Sequence, residues 1–190
     1  MDISIAEKRL EDYIFSHLNG TKIIYGVEPE ITPVRNGCVL RQLNLGDYGV
    51  ADIVTIDVES VGAYPIVTVY ELKQGKIDAA ALVQVLRYKK GLSHFLEILG
   101  YRCPGDAVTC VLIGNDICHI ADFAVAVSSL SEIDVYSYDL CPNTGLILHR
   151  HAWEKEASFP QSLYKAFLGA EYAASDAGAQ FYKEHGEVPF

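Results

Sequence analysis

Val50-Ala51-Asp52-Ile53-Val54-Thr55-Ile56-Asp57 and Ile66-Val67-Thr68-Val69-Tyr70-Glu71-Leu72-Lys73 are the two stretches that decide the fold of this chain. Both are mostly apolar and rich in β-branched residues, which favour strands. The earlier stretch Cys38-Val39-Leu40-Arg41-Gln42-Leu43-Asn44-Leu45 alternates in part between apolar and polar residues and ends at the turn pair Gly46-Asp47. The sequence therefore predicts three consecutive strands that neighbour one another in a sheet.

Helices are predicted before and after these strands. Residues 4–18 place apolar residues at helical spacing and end at Asn19-Gly20. After a turn at Gln74-Gly75-Lys76, residues 78–100 form the longest predicted helix, with Asp78 as its cap. We also expect strands at 107–113 and 133–138, a last short strand at 145–149, a short helix at 121–130 and a helical segment over 160–184. This order predicts an α/β fold, a mixed central sheet flanked by helices.

Composition favours a cytoplasmic globular protein. The chain has 190 residues and a mass of 20.9 kDa, and half of its residues are apolar, which is enough to bury a core. It has no apolar run of about 18 residues, so no membrane-spanning helix is expected. The N-terminal residues lack a basic flank followed by an apolar stretch, so no secretory signal is predicted. The five cysteines include no CxxC pair, and neither a disulfide framework nor a zinc site is predicted.

The charge of the chain is unevenly distributed. Its formal net charge is −10, which is unfavourable for binding nucleic acid because phosphate contacts need cations. Between Arg35 and Arg102, however, eight basic residues balance seven acidic ones, and the rest of the chain holds seven basic and eighteen acidic residues. The middle third is therefore nearly neutral. Its lysines and arginines are predicted to form one basic surface, or otherwise a solvated helix face: Lys73, Lys76, Arg87, Lys89 and Lys90.

Two carboxylates and one lysine fall on the apolar predicted strands. Asp52 is embedded in the first strand, and Glu71 and Lys73 end the second strand two residues apart, so they point to the same face. Burying carboxylates is costly unless something pairs with them, and a divalent cation is one solution. Two carboxylates with a backbone carbonyl suit Mg²⁺ or Mn²⁺. The alternative is an ion pair between Glu71 and Lys73 with Asp52 as a turn acid, in an unrelated α/β domain.

The order of these motifs along the chain matches a known pattern. An Asp among hydrophobic residues is followed by a loop, an apolar strand ending in ExK, and a helix that carries Gln84-Val85-Leu86-Arg87-Tyr88. This layout resembles the PD-(D/E)XK nuclease superfamily, and the QxxxY pattern resembles its RecB-like and NucS-like branches. Arg41-Gln42 before Gly49-Val50-Ala51-Asp52 is similar to a run in NucS-type C-terminal domains, although Ala51 stands where the superfamily name has proline. The resemblance covers roughly residues 4–140.

The resemblance implies both a fold and an activity. The fold is a restriction-endonuclease-like core of αβββαβ order over residues 1–150, with residues 151–190 as a C-terminal helical extension of the same domain. The activity is that of a deoxyribonuclease that needs Mg²⁺ or Mn²⁺ and hydrolyses the phosphodiester bonds of DNA. The alternative is a catalytically silent nuclease-fold protein that binds DNA or a protein partner through its acidic flanks, as an anti-restriction protein does.

The resemblance also assigns residues. Asp52, Glu71 and the carbonyl of Leu72 are the implied metal ligands. The implied catalytic set is Asp52, Glu71, Lys73 and Gln84. Glu7 is a further acid from the first helix, with Glu11 as the competing choice. Gln84 and Tyr88 either contact the DNA backbone or hold the shape of the site, and the implied DNA-binding residues are Tyr88, Arg87, Lys76, Lys90, Arg41 and Gln42.

A homodimer is the predicted assembly. One active site cuts one strand, so a double-strand cut is most simply made by two copies related by a two-fold axis. Apolar residues of the segment 160–184 offer material for the contact. The alternative is that this segment folds back on its own sheet.

Overall fold

The fold is known from a computed structural model that describes residues 7–21, 24, 31–58, 65–101, 107–118, 121–130, 132–141 and 145–151. The chain divides into two units, Met1–Trp153 and Glu154–Phe190, and every described residue lies in the first. The predicted helical segment over 160–184 lies outside the described residues. The division at residue 150 and the helical extension therefore stay predictions.

Six strands and three helices make up the described part of the chain. They follow the predicted order and add the last strand as a full partner of the sheet. The helices are α1 (Glu7–Leu18), α2 (Ala79–Ile98) and α3 (Ala121–Ser128), and the strands are β1 (Gly37–Asn44), β2 (Val50–Asp57), β3 (Ile66–Ile77), β4 (Val108–Ile117), β5 (Ile133–Cys141) and β6 (Gly145–Arg150). A single 3-10 turn, Gly46–Tyr48, joins β1 to β2.

The strands form one mixed sheet in the order β1-β2-β3-β4-β5-β6. β1, β2 and β3 are antiparallel neighbours, β4 and β5 continue parallel to β3, and β6 returns antiparallel to β5. The parallel pairs need crossovers, which α2 and α3 provide. The predicted α/β class, the three neighbouring strands and the mixed sheet are confirmed.

Both faces of the sheet are covered by helices. On one face, α2 and α3 pack on apolar residues such as Val69 and Leu112, and on the other, Leu10, Ile14 and Leu18 of α1 pack on Tyr70 and Leu72. Successive residues of β3 thus point into two different hydrophobic cores, one beneath α2 and α3 and the other beneath α1, because side chains alternate between the two faces of a strand. No helix in the described part of the chain is long and apolar enough to span a membrane.

The predicted end of the third strand is wrong. The polar run Gln74-Gly75-Lys76 was expected to turn the chain out, but β3 continues to Ile77. Lys76 and Ile77 pair with Asp116 and Ile117 of β4 after a register shift, so the run is an irregularity within the strand. Ile77 is buried, and its side chain packs closely over Gly114. A Cβ added at Gly114 would lie only 2.6 Å from it.

The start of α2 confirms its predicted cap. The Asp78 side chain accepts hydrogen bonds from the N–H groups of Ala80 at 3.0 Å and Ala81 at 3.1 Å. Gly100 follows the helix with φ +87°, a left-handed conformation that glycine adopts without strain. The Asp78 cap fixes where α2 begins after β3, and Gly100 fixes where the helix ends. The start of α2 in turn determines which helical residues face the end of β3.

Candidate active site

The site forms where β2 and β3 separate. The two strands pair from Ile53 and Tyr70 outward, and one more step in this register places Asp52 opposite Glu71. There the Asp52 side chain takes the place of a backbone partner, because its Oδ2 accepts a hydrogen bond from the N–H of Leu72 at 2.8 Å. The separation therefore opens a gap in the sheet that is lined by two carboxylates.

Glu71 is the most deeply buried charged group at this gap. It is 1% exposed, and its Oε1 accepts a hydrogen bond from Nζ of Lys73. Among the described residues no donor lies within hydrogen-bond distance of its Oε2, which is also buried. A buried carboxylate oxygen without a partner is costly, and a cation next to it would remove that cost.

Asp52, Glu71 and Lys73 influence one another's ionisation. Burial first and the negative charge of Asp52 second raise the pKa of Glu71 to about 7, against the hydrogen bond and the charge of Lys73. Burial also raises the pKa of Asp52, against the hydrogen bond from Leu72. Burial alone would lower the pKa of Lys73, but the hydrogen bond and the charge of Glu71 outweigh it, and the pKa is raised. Lys73 is therefore a protonated cation in contact with Glu71.

α2 holds Lys73 from the other side. Oε1 of Gln84 accepts a hydrogen bond from Nζ of Lys73 at 3.3 Å, and Nε2 of Gln84 donates to the hydroxyl of Tyr88 at 2.6 Å. The two α2 residues are four apart and share a helix face. Tyr88 is 1% exposed, so its ring does not reach solvent. Of its two predicted roles, contact with DNA or holding the shape of the site, its position fits the second.

A second set of side chains meets Asp52 from β1. Nε2 of Gln42 donates to Oδ1 of Asp52 at 3.4 Å and to Oε2 of Glu11 at 3.1 Å. Nε of Arg41 donates to Oε1 of Glu11 at 2.6 Å, and its guanidinium also bonds Asp12 at 2.8 Å. Arg41, predicted to bind DNA, is thus held in ion pairs between α1 and β1.

Glu7 and Glu11 occupy different places. Glu7 is exposed, and its Oε2 lies 3.5 Å from the N–H of Gln74. Glu11 is 8% exposed and is engaged by Arg41 and Gln42. Of the two competing acids, Glu11 is the one linked to Asp52 through a shared partner.

The predicted single basic surface is wrong. Lys89 turns away from Arg87 on α2 and pairs with Glu132 at 3.3 Å, with only 16% of its side chain exposed. The reason is the helical period, which places residues two apart on nearly opposite faces. Lys76 lies 3.8 Å from Asp116. Arg87 and Lys90 are exposed, and the Arg87 guanidinium lies over the Tyr88 ring at 5.8 Å.

The donor set suits a small oxygen-seeking cation. Asp52 and Glu71 supply carboxylate oxygens, and the Leu72 carbonyl lies on the strand between Glu71 and Lys73. In the described ranges, no three His, Cys, Asp or Glu side chains converge as a metal-binding group. An ion here would rest on two carboxylates, a carbonyl and water, a pattern that Mg²⁺ accepts because it retains several waters. The observation that favours the fit is the buried Oε2 of Glu71, to which no residue in the described part of the chain donates.

A groove of about 420 Å³ lies further along α2 and does not contain this chemistry. Its lining is mainly apolar and includes Leu43, Leu92 and Phe95, and it excludes Asp52, Glu71 and Lys73. Tyr48 borders it and packs against Gly91, where an added Cβ would stand 2.7 Å from the ring. The carboxylate site therefore lies at an open gap of the sheet, outside the large groove.

Comparison with known proteins concerns the architecture. No family model matches this sequence, and no curated protein matches it. The mixed six-strand sheet flanked by helices is similar to a repair endonuclease from Pyrococcus abyssi, with 18% identity and a TM-score of 0.44 over 71% of this chain. It is also similar to EndoMS in a complex with double-stranded DNA, with 18% identity and a TM-score of 0.45 over 71% of this chain. The chain spans about half the length of each, 47% and 46%.

Proposed function

We propose that this protein is a DNA endonuclease of the PD-(D/E)XK type that uses Mg²⁺ or Mn²⁺ to hydrolyse backbone phosphodiester bonds. One observation carries the proposal. Glu71 is buried beside Asp52, one of its oxygens has no donor among the described residues, and Lys73 donates to the other oxygen. An ion pair with Lys73 satisfies only one oxygen of Glu71, and among the described residues it leaves the other oxygen buried without a donor at the gap that Asp52 lines.

Asp52, Glu71 and the Leu72 carbonyl would hold the ion. A bound Mg²⁺ or Mn²⁺ would supply Lewis-acid charge at the phosphate and acidify a water molecule. The hydrogen bond from Leu72 N–H leaves Oδ2 of Asp52 turned toward β3, so both carboxylates address the same gap. The chain thereby prepares an anionic pocket that is costly without a cation.

Lys73 would act as a fixed positive charge. Its raised pKa keeps Nζ protonated at neutral pH, so it is suited to steady the negative charge that grows on the phosphate. Gln84 limits where Nζ can move, and Tyr88 in turn fixes the amide of Gln84. Gln84 and Tyr88 are in this proposal positioning residues for Lys73.

DNA would approach along the exposed side of α2. Arg87 and Lys90 present cations there, and Arg87 lies next to Tyr88 and so close to the site. A local cationic surface can attract a phosphate chain although the net charge is −10. We propose two copies of the chain for a double-strand cut, and sedimentation at micromolar concentration tests this, since a single 20.9 kDa species would exclude the dimer.

The test is a cleavage assay with matched variants. The protein is incubated with labelled duplex, single-stranded, branched and mismatched DNA, in Mn²⁺, Mg²⁺ or EDTA. We expect cleavage of at least one form with metal, none with EDTA, and a loss of about 100-fold or more in Asp52→Asn. Asp139→Asn is the control, because Asp139 lies on β5, is 77% exposed and bonds only His149 among the contacts resolved for it.

Two results would contradict the proposal. Equal cleavage by Asp52→Asn and by the parent would place the chemistry elsewhere. DNA binding without any cleavage, in every metal and on every DNA form, would favour the alternative of a silent nuclease-fold protein.

A further inference from the structure

We infer that Gln42 is a positioning residue that holds the Asp52 carboxylate ready for a metal ion, and that Glu11 and Arg41 hold Gln42 in turn. This inference rests on the proposed function. It assigns to Arg41 and Gln42 a role inside the protein, in place of the DNA contact predicted from sequence.

Gln42 joins two carboxylates that belong to different elements. Its Nε2 lies 3.1 Å from Oε2 of Glu11 on α1 and 3.4 Å from Oδ1 of Asp52 on β2. Carboxylates only accept hydrogen bonds, so the two contacts also fix which end of the Gln42 amide points inward. With Leu72 N–H on Oδ2, both oxygens of Asp52 have a protein donor.

The backbone at Gln42 departs from the conformation that a residue other than glycine prefers. Gln42 has φ +47°, and among the described residues other than glycine it alone has a positive φ. β1 pairs with β2 at Arg41 and again at Leu43, so the strained residue is the one that stands opposite Asp52. Left-handed backbone at a residue other than glycine persists where surrounding contacts demand it, and such residues cluster at functional sites.

Glu11 and Arg41 make the arrangement rigid. Glu11 is 8% exposed and uses one oxygen for Arg41 at 2.6 Å and the other for Gln42. The Arg41 guanidinium also lies over the Phe15 ring at 4.9 Å. α1 packs on the face of the sheet opposite α2. Through its hydrogen bond to Glu11, Gln42 therefore connects the carboxylate site to the helix on that opposite face.

The consequence concerns metal affinity. Groups that hydrogen-bond a metal ligand orient it, and removing them commonly lowers metal affinity or activity about 10- to 100-fold. Without Gln42, Oδ1 of Asp52 would lose its donor and the carboxylate would turn more freely about its bond. A strained residue whose only task was to close β1 against β2 would have no such effect.

The test uses the strain itself. Gln42→Gly removes the amide and suits positive φ, so the relief of backbone strain offsets the hydrogen bonds lost to Glu11 and Asp52. We expect a melting temperature close to that of the wild type together with Mn²⁺ affinity at least about tenfold weaker by calorimetry. Gln42→Asn also tolerates positive φ, but its shorter amide cannot span both carboxylates, and its Mn²⁺ affinity should fall as well. Asn44→Gly is the matched control on the same strand, because the Asn44 amide bonds the N–H of Gly46. It should keep Mn²⁺ affinity while losing stability.

Four outcomes decide the inference. Weaker Mn²⁺ binding by Gln42→Gly at full thermal stability supports it. If the wild type binds Mn²⁺ and Gln42→Gly binds it equally well, the inference is wrong while the proposed function stands. The same holds if the loss of Mn²⁺ affinity only accompanies a loss of stability. A wild type that binds no Mn²⁺ overturns the proposed function and this inference with it.

Discussion

Replacing Glu71 with Gln should stabilise the metal-free protein at alkaline pH. Burial and the nearby charge of Asp52 together raise the pKa of Glu71 from 4.5 to about 7, although the hydrogen bond from Lys73 lowers it. The folded protein therefore keeps a proton on this carboxyl over a range in which the unfolded chain has released it. Gln has nearly the shape of the protonated acid and never ionises, so the variant avoids the cost of a buried negative charge.

Proton linkage gives the sign and the size of this effect on the free energy of unfolding. Between about pH 4.5 and pH 7 the folded state binds more protons than the unfolded state, so the free energy of unfolding falls as the pH rises. At about 1.4 kcal/mol per pKa unit, the difference between 4.5 and about 7 corresponds to roughly 3 kcal/mol. Because Glu71 is 1% exposed, water does not screen this effect appreciably.

Urea unfolding in the presence of EDTA measures this stability difference. We expect wild type and Glu71→Gln to have similar free energies of unfolding near pH 4, and the variant to be more stable by about 3 kcal/mol near pH 8. Asp139→Asn changes an exposed carboxylate in the same way and should follow the wild type at both pH values. A difference between wild type and Glu71→Gln that does not grow with pH would refute the reasoning.

Three further variants test other contacts in the protein. Lys73→Met should lower the cleavage rate about 100-fold or more with little change in DNA affinity, because Nζ would serve the reacting phosphate. Arg87→Glu combined with Lys90→Glu should weaken binding of all DNA sequences alike and flatten its salt dependence, as measured by fluorescence anisotropy. Gly91→Ala should cost about 1–3 kcal/mol in thermal unfolding, because the new Cβ would meet the root of the Tyr48 ring at 2.7 Å.

Each of these has a control and a contradicting result. Lys76→Met removes a lysine of the same strand that pairs with Asp116, so cleavage should persist, and equal rates in the two Met variants would remove Lys73 from the chemistry. DNA affinity unchanged by the double charge reversal would place DNA on another surface. Gly75→Ala adds a Cβ with nothing within 4 Å, and a loss of stability there as large as at Gly91 would exclude the Tyr48 contact as the cause.

The elements that local pattern controls were predictable from the sequence. The β-branched runs at β2 and β3 gave strands whose antiparallel register places Asp52 opposite Glu71. Asp78 and Gly100 fixed the limits of α2, and so the face that carries Gln84. These features depend on neighbours within a few residues of sequence.

The contacts that span long stretches of sequence were not predictable. Glu11 meets Arg41 across 30 residues and Gln42 across 31, and no local pattern reports such a pairing. The course of β3 past Gly75 depends on the parallel partner β4, which overrides the turn preference of the local residues. Lys89 was assigned by sequence proximity, while the helix turned it toward Glu132.

The most direct test of the central claim is metal-dependent cleavage by Glu71→Gln, measured beside its stability. The account predicts a variant that unfolds later than the wild type at pH 8 in EDTA and yet cleaves no labelled DNA that the wild type cuts in Mn²⁺. That combination would show that the buried carboxylate serves catalysis at the expense of stability. Cleavage by Glu71→Gln at the wild-type rate would contradict the account.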